Sequence, residues 1–141
     1  MDRHTVACMP CNPSVGGIAK SHLVYELDAL GGEMAKIADL TAIQYKTLNT
    51  KKGPAVQSTR TQNDKARYHT AMKRVLETTP RLDLKQAMIE ALVVENSRVA
   101  GVIDQTGFGV SCQAVILATG TFLSGLVHIG DRSLQAGRAG E

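Results

Sequence analysis

Apolar residues recur at helical spacing near the start of the chain: Ile18, Leu23, Val24, Leu27 and Leu30 share one face. Gly31-Gly32 supplies the stop, which predicts a first helix. A short second helix is predicted over 33–40, and 42–48 reads as a strand with Ile43 and Tyr45 on one face. The polar stretch 49–54, punctuated by Gly53-Pro54, is a loop. The clearest helix is predicted over 62–77, where Tyr68, Ala71, Met72, Val75 and Leu76 form a stripe ended by Pro80. Thereafter the pattern turns to strands. Segment 82–86 is a short candidate; 91–95 and 99–103 form a hairpin through Asn96-Ser97-Arg98, and Thr106-Gly107 turns the chain into 108–112. Residues 114–119 are apolar throughout, the pattern of a strand covered on both faces as in a parallel sheet. Helices, a three-stranded antiparallel meander and one buried strand together predict an α/β fold, with no repeat, low-complexity tract or domain boundary.

Charge adds a feature that periodicity does not. Between Gln44 and Arg74 stand eight basic residues against the single acid Asp64, while the whole 141-residue chain carries only +3. A basic block in an otherwise acidic chain suggests a polyanionic partner, although a solvated helix face produces the same count. Aromatic residues are few and Trp is absent, so a nucleic acid would be held through its phosphates rather than by base stacking. The longest apolar run is too short to cross a membrane, and Met1-Asp2-Arg3-His4 does not open a signal peptide. Three cysteines do not make a disulfide framework, which points to a reduced, cytoplasmic setting.

The candidate chemistry begins at Cys11-Asn12-Pro13-Ser14-Val15-Gly16-Gly17. As a small-residue loop entering a helix, it is expected to leave backbone N–H groups bare for an anion or an electron-rich ring edge. Cys11 beside a helix N-terminus has a reason to be partly thiolate, yet a small packing residue explains it as well. Cys8 and Cys11 form a Cys-x-x-Cys, but no second pair of ligands at suitable spacing completes a metal site. A buried strand running into Ala118-Thr119-Gly120 would end where open α/β sheets hold their ligands.

Several of these segments together resemble the glucose-inhibited division protein A family. They are the Cys11–Gly17 stretch, His22-Leu23-Val24, Asp28-Ala29-Leu30-Gly31-Gly32, Lys52-Gly53-Pro54-Ala55-Val56, Thr59-Arg60, Gly120-Thr121-Phe122-Leu123 and His128-Ile129-Gly130. The resemblance implies a glutathione-reductase-type FAD-binding fold, with parallel strands, helices and a β-meander. It implies an FAD-dependent enzyme that adds a carboxymethylaminomethyl group to C5 of the wobble uridine of tRNA. The one-carbon unit would come from a methylene-folate and the reducing power from NADH. It further implies a GTPase partner of the MnmE type and a homodimer.

On the same resemblance, Ser14, Val15, Gly16 and Gly17 would line the flavin, with Lys52 and Arg60 as cations beside it. The Ile89 main chain would meet the adenine, and Thr119 and Gly120 would close over the cofactor. Cys11 would be a catalytic candidate toward the uridine, while Lys51, Lys65 and Arg67 would contact RNA. Gln57 and Lys65 stand where the family usually has arginine, and Ser21 where it has glycine. No Gly-x-Gly-x-x-Gly precedes Cys11. Residues 1–141 are therefore expected to be an internal part of the FAD-binding domain that holds FAD weakly by itself. Three other functions remain open: a folate- and FAD-dependent tRNA uridine methyltransferase, a basic RNA-binding module without redox activity, and a flavin oxidoreductase acting on small molecules.

Overall fold

The structure, a computed structural model, describes residues 5–10 and 12–139. They fall into two compact units, Met1–Gln86 and Ala87–Glu141, at a point where the sequence shows no boundary.

In the first unit three strands form an antiparallel sheet in the order β1-β3-β2, with β1 at Ser14–Gly16, β2 at Ala42–Leu48 and β3 at Ser58–Asn63. Helices α1 (Ser21–Ala29), α2 (Glu33–Thr41) and α3 (Lys65–Thr78) accompany it. The helix α1 closes as the Gly-Gly signal predicts: Gly32 N–H donates to Leu27 O and Gly31 N–H to Asp28 O, each at 2.8 Å. The core is Ile37 and Ala38 of α2 against Tyr68 of α3, with Val15, Ala71, Met72 and Val75 packed on it. These α3 residues belong to the stripe read from the sequence.

Two boundaries differ from the sequence reading. The helix α3 begins at Lys65 rather than at residue 62, because the Asp64 carboxylate caps it by accepting from Arg67 N–H at 3.0 Å. Gln62 and Asn63 instead pair across the sheet, Gln62 with Ser14 on one side and Gln44 on the other. The stretch Ser14–Gly16 is likewise a strand and not a loop. The central strand β3, Ser-Thr-Arg-Thr-Gln-Asn, has no apolar alternation to announce it. Polar bonds hold its inward face. Asn63 Nδ2 donates to Ala38 O at 2.7 Å and to Thr41 Oγ1 at 3.1 Å, and Thr61 Oγ1 donates to Asn63 Oδ1 at 2.8 Å.

The second unit contains the expected three-stranded meander: β4 (Ile89–Glu95), β5 (Arg98–Asp104) and β6 (Gly109–Ser111), all antiparallel. Asn96 and Ser97, at φ 49° and 62°, form the tight two-residue turn between β4 and β5. Asp104 organises the next turn, its Oδ1 accepting from Thr106 N–H at 2.8 Å, Thr106 Oγ1 at 2.6 Å and Phe108 N–H at 3.0 Å. A hairpin not read from the sequence follows, β7 (Leu126–Ile129) with β8 (Arg132–Gln135).

The buried parallel strand expected over 114–119 is not formed, nor is a strand over 82–86. Ile116 is 92% exposed and Leu117 67%. A strand buried on both faces exists only where neighbours supply its ladder and its cover, and every pairing among the described residues is antiparallel and lies elsewhere. The described fold is thus mixed α/β with antiparallel sheets.

Candidate functional site

The predicted loop residues meet at a cleft of about 850 Å³ in the first unit, whose lining includes Ser14, Val15, Gly16, Gly17 and Arg60. The register explains the meeting. Strand β1 pairs with β3 so that Ser14 lies opposite Gln62 and Gly16 opposite Arg60. The polar side chains on this face join the strands: Arg60 Nη2 donates to Ser14 Oγ at 3.2 Å, and Gln62 Nε2 donates to Asn12 Oδ1 at 3.0 Å.

Two of the N–H groups expected to be bare in this segment are engaged. Gly17 N–H donates to Thr59 O at 2.9 Å and also lies 3.0 Å from Ser21 Oγ, and Ser14 N–H donates to Asn12 O at 2.7 Å. Pairing of β1 with β3 has consumed donors that a loop would have left free. Among side chains, Arg60 is the sequence-predicted cation that lines the cleft. Lys20 lines it too, at the cap of α1, and was not singled out from the sequence. Tyr68 lines the cleft from α3; it is only 4% exposed, and burial pushes its phenol pKa up, so it stays neutral.

The other predicted residues are placed elsewhere. Lys51 and Lys52 are exposed in the turn after β2, whose shape is held by Gln57 Nε2 donating to Lys52 O at 3.1 Å and Asn49 Nδ2 donating to Val56 O at 3.0 Å. Lys65 is exposed in the first turn of α3. Arg67 lines a separate groove of about 580 Å³ between α2 and α3, together with Arg74 and the apolar Ile37, Leu40 and Val75. Ile89, Thr119 and Gly120 belong to the second unit: Ile89 opens β4, Thr119 O accepts from Phe122 N–H at 3.1 Å, and Gly120 turns at φ 57°. Cys11 lies outside the described residues, and with it the Cys8–Cys11 pair; Cys8 and Cys112 are free thiols. Among the described residues no three His, Cys, Asp or Glu side chains gather as a metal site, and no helix is long and apolar enough to cross a membrane.

A second cation, which the sequence reading counted only within the basic block, stands beside this site. Lys46 on β2 is directly opposite Arg60 on β3. Its signal was the alternation of β2, which sets residue 46 on the same face as Leu48, another cleft-lining residue.

Comparison with known proteins gives a concordant picture. The family model described as Glucose inhibited division protein A matches residues 1–141. The tRNA uridine 5-carboxymethylaminomethyl modification enzyme MnmG of Syntrophobacter fumaroxidans is 67% identical over 137 residues, which cover 97% of this chain and 21% of that protein. The protein of the same name from Protochlamydia amoebophila is 52% identical over 141 residues, covering all of this chain and 23% of its relative. A crystal structure of Aquifex aeolicus GidA superposes with a TM-score of 0.92 at 48% identity, over 99% of this chain and 23% of that one. The chain thus spans between a fifth and a quarter of the length of the relatives it matches.

Proposed function

Because this chain belongs to the glucose-inhibited division protein A family, we propose that it forms part of an FAD-dependent tRNA-modifying enzyme of glutathione-reductase-type fold. Its reaction adds a carboxymethylaminomethyl group to C5 of the wobble uridine, with a methylene-folate as one-carbon source, glycine as the source of the carboxymethylamino part, NADH as reductant, and a GTPase of the MnmE type as partner. The enzyme works in the cytoplasm as a homodimer.

The observation that carries this reading is the cleft in which Ser14, Gly16, Gly17 and Arg60 converge. Its volume, about 850 Å³, lies within the range of small-molecule and cofactor sites. At Gly17 a Cβ would meet only Leu48 Cδ1 at 4.0 Å, so the glycine leaves the main chain open to a flat ring there, and Gly16 sits at φ 83°, a conformation other residues adopt at a cost. These features fit FAD. Bound FAD would supply the redox chemistry. Arg60, oriented by its bond to Ser14 Oγ at 3.2 Å, would present one edge of its guanidinium toward electron density on the ring, and the N–H groups of its other edge would remain for a phosphate oxygen. Lys52, exposed one turn beyond β2, would add charge from solvent. Lys51, Lys65 and Arg67 would meet RNA phosphate, and Cys11 is the candidate nucleophile. The roles of Ile89, Thr119 and Gly120 toward the cofactor rest on their motifs alone.

The test is made with the full-length protein. It should purify yellow with flavin, and with its GTPase partner it should convert tRNA from a host lacking the modification. Nucleoside mass spectrometry should then detect carboxymethylaminomethyluridine. A methylated uridine instead would establish the folate-dependent methyltransferase. Colourless protein that leaves tRNA unchanged would refute the redox reading.

A further inference from the structure

Lys46 and Arg60 are directly opposed across β2 and β3, so their side chains rise from the same face of the sheet within reach of each other. Like charges in this position repel and destabilise the pair of strands. Nothing nearby relieves them: the ion pairs among the described residues are Lys36–Glu33 and Lys73–Glu77. Arg60 does reach Ser14 Oγ, but a neutral hydroxyl orients a guanidinium without neutralising it. On its other flank Arg60 faces Gly16, which has no side chain to cover it.

A third group lies two residues along the same face. Ser58 is 3% exposed, and its Oγ has no hydrogen-bond partner. A buried hydroxyl without a partner is costly to keep. Ser58 pairs with Leu48, which lines the cleft together with Arg60. One face of β2 and β3 therefore carries two uncompensated cations beside a buried hydroxyl. The two cations suit an anion with several oxygens, with the planar fork of arginine and the point charge of lysine dividing the work.

We propose that Lys46 and Arg60 form a cross-strand clamp at the cleft rim that holds one phosphodiester group of the RNA substrate. The proposal rests on the tRNA-modifying function above and assigns a binding role to Lys46. Phosphate could come instead from a dinucleotide within the cleft. The exposure of Lys46, and of Lys51 and Lys52 just beyond the same strand, favours a polymer arriving from solvent.

Salt dependence of tRNA binding by the full-length protein, measured together with its flavin content, tests the clamp. Each phosphate contact adds about −0.7 (single strand) to −0.9 (duplex) to the slope of log affinity against log salt, so a fourfold rise in salt weakens binding roughly threefold per contact. K46Q should lose roughly that threefold sensitivity, K46R should restore it, and flavin content should match the wild type. T47Q, one residue along on the opposite face, should leave the slope unchanged. If the wild type binds tRNA and K46Q keeps its slope, the clamp is wrong and the enzymatic reading stands. Loss of flavin in K46Q with an unchanged slope would assign the phosphate to the dinucleotide and overturn the RNA assignment. An equal loss in T47Q would mean a disturbed strand rather than a lost contact, and would also overturn it. A wild type that binds no tRNA would remove both the clamp and the function on which it rests.

Discussion

Replacing Gly16 with alanine tests the geometry on which the cleft depends. Gly16 has φ 83°, and a Cβ placed on it would lie 2.5 Å from Thr59 O and 3.2 Å from Ser21 Oγ. The left-handed backbone costs an L-residue about 1–2 kcal/mol. The clash adds to that, because Thr59 O is a rigid main-chain atom and must move. It accepts Gly17 N–H at 2.9 Å and lies 2.5 Å from Ser21 Oγ, and each such bond contributes roughly 1 kcal/mol. G16A should therefore destabilise the protein by about 2–4 kcal/mol, a large share of a typical 5–15 kcal/mol. G17A is the internal comparison. Gly17 also has positive φ, at 109°, but its added Cβ would meet only Leu48 Cδ1 at 4.0 Å. Its cost should be that of the backbone alone, about 1–3 kcal/mol, since φ 109° lies outside the left-handed well. Urea unfolding followed by circular dichroism gives both values, and a common m-value would confirm that the native state alone is perturbed. If G16A costs no more than the roughly 1–2 kcal/mol of its backbone conformation, the Thr59 carbonyl does not stand against Gly16 and the pairing of β1 with β3 is wrong.

Asn63, 1% exposed, bonds Ala38 O, Thr41 Oγ1 and Thr61 Oγ1; N63A should cost about 2–3 kcal/mol by stranding the Ala38 carbonyl, and N63D should cost more because a buried carboxylate would face that oxygen. Equal urea midpoints for the wild type and N63A would refute this. In the second unit, the hydrogen bond from Thr106 Oγ1, followed by the Thr106 and Phe108 N–H groups, holds the Asp104 carboxyl below the ordinary aspartate range. Its stabilisation is fully present above the unfolded-state pKa and is lost as pH falls through the lower folded-state value. The stability difference between wild type and D104N should therefore be constant near neutrality and shrink under acid; a difference that grows on acidification would contradict it.

The sequence revealed whatever its own periodicity could carry. Helices α1 and α2, strand β2 and the β4–β6 meander follow from apolar spacing closed by Gly31, Asn96-Ser97 and Thr106-Gly107. The motif from Ser14 to Gly17 located one wall of the cleft, and the family likeness placed Arg60 beside it. Strand β3 escaped because its inward side chains are Thr61 and Asn63, satisfied by hydrogen bonds rather than by apolar burial. The start of α3 was misread because the apolar stripe does not record that Asp64 is a cap.

Local pattern by itself determined helices α1 and α2, strand β2, the meander with its turns and the cationic block, since each depends on residues close together in the chain. Pairing was decided only by tertiary structure. Register set Arg60 between Gly16 and Lys46, made a strand of what the sequence presents as a loop, with the Gly17 N–H spent on Thr59 O, and set Arg67 in a separate groove. The apolar run at 114–119 illustrates the same limit: its composition states what it prefers to bury, but a strand exists only where a second strand accepts its hydrogen bonds.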